Sequence, residues 1–316
     1  MRFHLLGSQS FWNDEGNSYV QATRALTEIP LHAARDIHPP GYYWLLHGWR
    51  LLTGDSEFAL RSLSAFASLL TVALTFTLGR RLYGAVAGIA AGLFVALNTF
   101  QIYFAQEARM YALLALWGTA GMGALVRLIT SPPAPLHTRR GEKTWWALAL
   151  ALINAAGLWT QYAYPFVMLA QGVVFVVWWG ERVPHLHPLS LRARGLGNRF
   201  LPFSMREKGP RDEGHAVQGK LWNPFLAVLY YILANLLTLL LYLPWLPTAL
   251  NSVTAWPSTG QPVPLSEAVG VIVGWFTLGI TSRVMDASWV AVGLFLLLFG
   301  LRVAHPVRAL WRLILP

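Results

Sequence analysis

Seven stretches of this chain are apolar over about the length that a helix needs to cross a bilayer, roughly 17 to 25 residues. They cover residues 62–78, 85–105, 108–129, 145–161, 166–179, 224–246 and 289–304. Hydrocarbon offers no partner to a backbone N–H or C=O, so runs of this kind are stable only as helices that satisfy their own main chain. The expected fold is therefore all-α: a polytopic membrane helical bundle with loops and interfacial helices on its outer face. The 166–179 stretch is short, but Tyr162 and Tyr164 at one end and Trp178 and Trp179 at the other extend it as interfacial anchors. With 55% apolar residues, 12% charged residues and a mean hydropathy of +0.45, the chain does not read as a soluble globule.

Orientation follows from the basic residues. A turn with Arg80 and Arg81 on the cytoplasmic side puts Arg139, Arg140 and Lys143 there too, along with the loop that carries Arg182, Arg192, Arg194, Arg199, Arg206, Lys208, Arg211 and Lys220. Most of the 24 Lys and Arg residues then lie inside. The resulting organisation is a single membrane domain. Residues 1–61 form a first outer loop with short helices, 62–180 are transmembrane, and 181–222 are a basic cytoplasmic loop. Residues 223–247 cross again, 248–286 form an outer loop, and 287–305 make a last crossing. Within that outer loop, 255–264 reads as ordered because of Trp256, Pro257, Pro262 and Pro264. The 265–280 segment reads as re-entrant or interfacial, which keeps Arg302, Arg308 and Arg312 inside. An outer N-terminal segment with no leader implies a further span ahead of Met1.

The net charge of +10 is thus a topological signal. No basic recognition motif accompanies it, so the expected partner is the lipid bilayer and not nucleic acid. The absence of cysteine excludes disulfides, thiolate metal sites and thiol nucleophiles. Chemistry falls to carboxylates, His, Arg and Tyr. These residues gather on the outer side: Asp14, Glu15, Asp36, His38, Tyr42, Glu107, Arg109 and Tyr111.

Each has a functional and a structural reading. Asp14 and Glu15, on a non-helical loop, can point to opposite sides; one suits a general base or a divalent cation. Alternatively Asn13 and Asp14 cap a helix over 19–26. Pro39 and Pro40 pin His38 on rigid extended backbone ahead of an amphipathic run over 42–52, where it is a ligand, an acid, a hydrogen-bond donor to phosphate or a structural hydrogen bonder. In the run Gln106-Glu107-Ala108-Arg109-Met110-Tyr111, a helix starting near Glu107 places Glu107 and Tyr111 on one face and turns Arg109 away. A guanidinium at that mouth is a phosphate site or else ties two outer segments together. Ionisable groups at membrane depth point by default to function.

Taken together, Trp12-Asn13-Asp14-Glu15, His38-Pro39-Pro40 with Tyr42-Tyr43, Gly79-Arg80-Arg81-Leu82-Tyr83-Gly84, the 106–111 run and Leu243-Pro244-Trp245-Leu246-Pro247 resemble the multi-span glycosyltransferases of the GT-C class. The nearest group contains the protein O-mannosyltransferases and the aminoarabinose transferases of lipid A. The resemblance implies a polyprenyl-phosphate-linked sugar donor, an outer-face site in the cell membrane, inversion at the anomeric centre, and a protein, lipid or glycan acceptor. It also implies Asp14 as general base with Glu15 as its partner, and Arg109 on the donor phosphate with His38 nearby. Glu107, Tyr111, Asp36 and Tyr42 would line the site. Metal dependence varies in this class. No dedicated metal cage is expected here, and a divalent cation is the one cofactor compatible with the carboxylates. Full-length relatives carry a first span and further C-terminal parts, so truncation at one or both ends is expected. The alternative reading is a non-catalytic polyprenyl-phosphate-binding protein or a lipid or sugar transporter.

Overall fold

Residue 84 is where the first long hairpin turns: Gly84, at φ 94°, ends one helix and opens the next. The computed structural model describes residues 1–130, 142–182 and 224–254, together with Pro264 and Glu267. Outside the described residues lie Arg139 and Arg140, the basic loop beyond Arg182, most of 255–280 and the expected span at 289–304.

The described elements are α1 (Asn13–Thr23), α2 (Ile29–Ala33), α3 (Gly41–Thr53), α4 (Glu57–Tyr83), α5 (Ala85–Leu97), α6 (Thr99–Ala105), α7 (Tyr111–Thr130), α8 (Glu142–Thr160), α9 (Tyr164–Arg182), α10 (Pro224–Tyr242) and α11 (Leu246–Thr254). The all-α membrane bundle is what the structure shows. Three helices are long and apolar enough to cross a membrane, namely α4, α7 and α10, and a fourth crossing results if α5 and α6 count as one broken span. The helices expected near 145–161 and 166–179 are present as α8 and α9. The apolar part of α9 is shorter, and α8, which bears Glu142, Lys143, Asn154 and Thr160, is not among the three.

Helix α4 starts on a Ser56 cap, whose Oγ accepts from the Ala59 amide at 3.2 Å. It then packs tightly on α5 because small residues face each other. A Cβ at Gly88 would sit 2.8 Å from the Arg80 nitrogen and the Phe76 oxygen. The expected continuous span 85–105 is broken at Asn98, where α5 and α6 meet at 57°. Asn98 turns the chain because its side chain caps α6, accepting from the Gln101 amide at 3.0 Å. The carbonyls freed at the end of α5 are met by Arg2, which donates to Val95 O at 3.0 Å and Ala96 O at 2.9 Å. The expected span 224–246 likewise ends at Tyr242, with α11 beginning at Leu246.

Large apolar side chains face outward, including Val86 and Leu93 of α5, Phe166 and Val176 of α9, and Leu236 and Leu240 of α10. Polar ones face inward. Asn154, Gln171 and Tyr164 are fully buried between α7, α8 and α9, with the Asn154 amide donating to Gln171 at 2.9 Å and the Tyr164 hydroxyl to Asn154 at 2.9 Å. That inversion is what a hydrocarbon solvent selects. Helices α4 and α7 begin at one end of the bundle and finish together at the other, where Arg81 donates to Thr130 Oγ1 at 2.8 Å. The first end carries α1, α2 and α3.

Candidate active site

Two turns and two helix starts build the site. Asp14 and Glu15 occupy the first turn of α1, a correction to the non-helical loop expected for them; the N-cap is Trp12, so neither Asn13 nor Asp14 serves as the cap. Two acids suit this position because a helix N-terminus carries partial positive charge. α1 also ends at Thr23, so the helix expected over 19–26 starts and stops earlier. Side chains of adjacent helical residues diverge, and the two carboxylates do separate: Glu15 is 1% exposed, whereas the Asp14 side chain is 42% exposed.

Glu15 joins three segments. Its Oε1 accepts from Arg61 Nε at 2.8 Å and from the Ala108 amide at 2.8 Å, and its Oε2 accepts from Arg61 Nη2 at 2.6 Å. Arg61, in the first turns of α4, also donates to Leu6 O and Gln9 O, both at 2.8 Å. A buried ion pair holds its place only when its remaining hydrogen bonds are met, and these are. Arg61 was missed in the sequence, although an arginine at the margin of an apolar run and one turn after Glu57 is a visible signal.

The helix expected from Glu107 begins instead at Tyr111, and residues 106–110 form a turn between α6 and α7. The turn wins because its backbone is bound from outside the helix: the Ala108 amide goes to Glu15, and Arg109 O accepts from Ser64 Oγ at 3.2 Å. Glu107 and Tyr111 therefore do not share a helical face. Arg109 also does not turn away from Tyr111; its guanidinium lies 5.8 Å from that ring centroid.

Arg109 is 3% exposed. Its Nη2 lies 3.5 Å from Asp14 Oδ2 and 3.0 Å from His38 Nε2, and its Nη1 donates to Asp14 O at 3.1 Å. Three of the expected site residues thus meet. Guanidinium has no lone pair to offer, so His38 Nε2 is the acceptor and Nδ1 carries the proton. Among the described residues, three buried polar atoms here have no hydrogen-bond partner: Arg109 Nε, His38 Nδ1 and the Tyr42 hydroxyl. Burial first, then the neighbouring Arg109 charge, holds His38 below its usual range, and the Asp36 and Asp14 carboxylates offset part of this. Burial opposes the Arg109 charge, but Tyr111 and Asp14 outweigh it and hold its pKa up.

Asp36 does not face this cluster with a free carboxylate. It accepts from the Ile37 amide at 2.7 Å and from the Tyr43 hydroxyl at 2.8 Å, folding the loop that carries His38. The Pro39-Pro40-Gly41 run then seats α3 on α8, since a Cβ at Gly41 would collide with the Trp159 carbonyl. Tyr42 is fully buried beneath.

Glu107 faces the other way. It lines a cavity of about 470 Å³ with Glu15, Arg61, Trp12, Tyr103 and the His4 to Ser10 segment. Asp14, His38 and Arg109 are not part of that lining, so this cavity and the guanidinium cluster are neighbours, not one space. Burial pushes the Glu107 carboxyl above the usual carboxylate range, against the Tyr103 hydroxyl bond. Among the described residues, no three His, Asp or Glu side chains gather as metal ligands.

The helical membrane bundle thus holds a carboxylate, an imidazole and a buried guanidinium together at one end. Residues 37–191, just under half of the chain, match the family described as dolichyl-phosphate-mannose-protein mannosyltransferase, and over that stretch the chain is similar to it. The matched stretch contains His38, Tyr42, Glu107, Arg109 and Tyr111, while Asp14, Glu15 and Asp36 precede it. No curated protein and no solved structure matches the chain.

Proposed function

We propose that the protein transfers a sugar from a polyprenyl-phosphate-linked donor to a protein, lipid or glycan acceptor on the outer face of the cytoplasmic membrane, with inversion and with Asp14 as base. The observation that carries this reading is the contact of buried Arg109 with half-exposed Asp14 at 3.5 Å. Asp14 takes the proton of an acceptor hydroxyl, and that oxygen attacks the anomeric carbon from the face opposite the phosphate. The bond from the anomeric carbon to the phosphate oxygen breaks, and the lipid phosphate leaves with the electron pair. A phosphate ester needs no strong acid to depart, but its added negative charge must be met. Arg109 supplies the cation, and its unpartnered Nε and the Nδ1–H of His38 supply further donors. Tyr42, with its free hydroxyl, and Tyr111, against the guanidinium, line the phosphate side. Glu15 holds Asp14 and the 106–110 turn in register without touching substrate.

Two variants test the assignment in purified membranes supplied with polyprenyl-phosphate sugars. Asp14→Asn should lower turnover by about 10²- to 10⁴-fold while donor binding persists, the range for loss of a general base. Arg109→Ala should weaken donor binding. Undiminished transfer by Asp14→Asn would remove the base role and favour a carrier, and unchanged donor affinity in Arg109→Ala would remove the phosphate role.

A further inference from the structure

The cavity beside the guanidinium cluster has no part in the transfer chemistry above. Its volume of about 470 Å³ lies in the range of small-molecule sites. Trp12 and Glu15, which flank Asp14 in the chain, line it, and so does Glu107, two residues before Arg109. It therefore adjoins both segments that carry the proposed base and the proposed phosphate cation. Its wall disfavours three kinds of ligand. Among the described residues, Arg61 is the only Lys or Arg in the lining, and every N–H of its guanidinium is spent on Glu15, Leu6 O, Gln9 O or Ser10 O. An anion thus finds no free cation there. Leu5 and Leu6 are the only aliphatic side chains in the lining, so a prenyl or acyl chain has little to pack on. An extended peptide would need main-chain partners, but the carbonyls of His4, Leu5, Leu6, Gln9 and Ser10 already accept hydrogen bonds from Gln106, Ser8 and Arg61.

What the wall does offer is a carboxyl and an aromatic ring. Both Glu15 oxygens are taken by Arg61 and the Ala108 amide. Glu107 is buried and bonds to the Tyr103 hydroxyl, which leaves acceptor sites on its carboxyl unused. Its raised pKa fits a group that has lost hydration without gaining enough donors in return. Trp12 is 48% exposed and adds an indole surface to the same wall. A carboxyl acceptor beside an indole suits an uncharged sugar, whose hydroxyls donate while its C–H face packs on the ring. We propose that this cavity is the acceptor subsite and that the acceptor is an uncharged carbohydrate, held by Glu107 through its hydroxyls and by Trp12 through its ring face. The inference rests on the transferase reading. The transfer step is unchanged, with a carbohydrate hydroxyl as the group that gives its proton to Asp14.

The test uses the full chain in nanodiscs, with methyl glucoside, methyl galactoside, methyl mannoside and a neutral peptide rich in Ser and Thr as probes. Ligand-observed NMR measures binding without donor, and label transfer from polyprenyl-phosphate sugars measures turnover. At least one glycoside should bind and take up label in preference to the peptide. Glu107→Gln should raise the KM for that glycoside about tenfold, the share of one hydrogen bond to a charged group. Trp12→Ala should raise it about two- to tenfold, the share of an aromatic contact. In both variants the KM for donor and the unfolding temperature should stay at the parent value. If Glu107→Gln does not fold, Trp12→Ala, at an exposed position, carries the test. Absence of glycoside binding, or a glycoside KM that neither variant changes, would overturn the proposal while leaving the Asp14 and Arg109 assignments to their own variants. Label on the peptide in place of the glycosides would overturn the carbohydrate assignment. Glycoside binding that both variants weaken, with no label transferred to any probe, would overturn the transferase reading and the acceptor role with it.

Discussion

Arg61 and Glu15 hold the helix start that carries Asp14 against the turn that carries Arg109. Removing the guanidinium leaves a carboxylate that is 1% exposed with no cation, so Arg61→Ala should cost about 3 to 5 kcal/mol. The thermal unfolding of purified protein in detergent should show it, with Arg61→Lys recovering part; equal stability of Arg61→Ala and the parent would contradict the hub role. His38 gives a prediction in pH. Its folded-state pKa is lowered, so the unfolded chain binds the proton more readily. The stability it contributes is complete above the usual histidine value near 6.5 and is lost as pH falls through the lower folded value. His38→Gln should therefore flatten the decline in unfolding temperature between about pH 7 and pH 5 relative to the parent; parallel declines would refute the assignment. Among single residues, Asp14, His38 and Arg109, which the structure brings into contact, stood out as candidates because charge at membrane depth is costly and therefore informative. Arg61 was overlooked because it sits at the margin of an apolar run, where it reads as a snorkelling residue.

Helices α4, α5, α7, α8, α9 and α10 lie where apolar length placed them, and their errors are at breaks. The break at Asn98 and the turn at 106–110 exist because partners from elsewhere, Arg2 and Glu15, satisfy the backbone there. No local pattern announces a partner about ninety residues away. Close packing is equally non-local. A Cβ at Gly121 of α7 would come within 2.6 Å of Gln171 Nε2 and 3.0 Å of Asn154 Oδ1, whereas one at Gly123 would meet nothing within 4 Å. Gly121→Ala should thus destabilise by about 1 to 3 kcal/mol through the displaced amide pair, while Gly123→Ala should be neutral or mildly stabilising. Comparing their unfolding temperatures checks this directly; similar behaviour of the two variants would argue against the packed polar core.

Across the described residues the arrangement is polarised, with the ion pairs of Glu15 with Arg61 and Asp14 with Arg109 under α1 to α3 at one end and Arg80, Arg81 and Arg127 at the other. On the proposed topology, the Asp14 end faces outward. The chain has no cysteine, so single cysteines report sidedness cleanly. Leu31→Cys, at an exposed position on α2, should react with an impermeant maleimide in intact cells, and Ala85→Cys, at the opposite turn, should react only after permeabilisation. The reverse pattern would invert the topology and remove the outer-face site.

Apolar run length and the placement of lone charges determined the helical membrane class and most of the residues worth watching, because both are costs that water and hydrocarbon impose on any conformation. Which charges meet was settled only by tertiary structure. Glu15 turned to Arg61, Asp14 was left to Arg109, and Glu107 went to a separate cavity, since pairing depends on how distant backbone segments satisfy one another's hydrogen bonds.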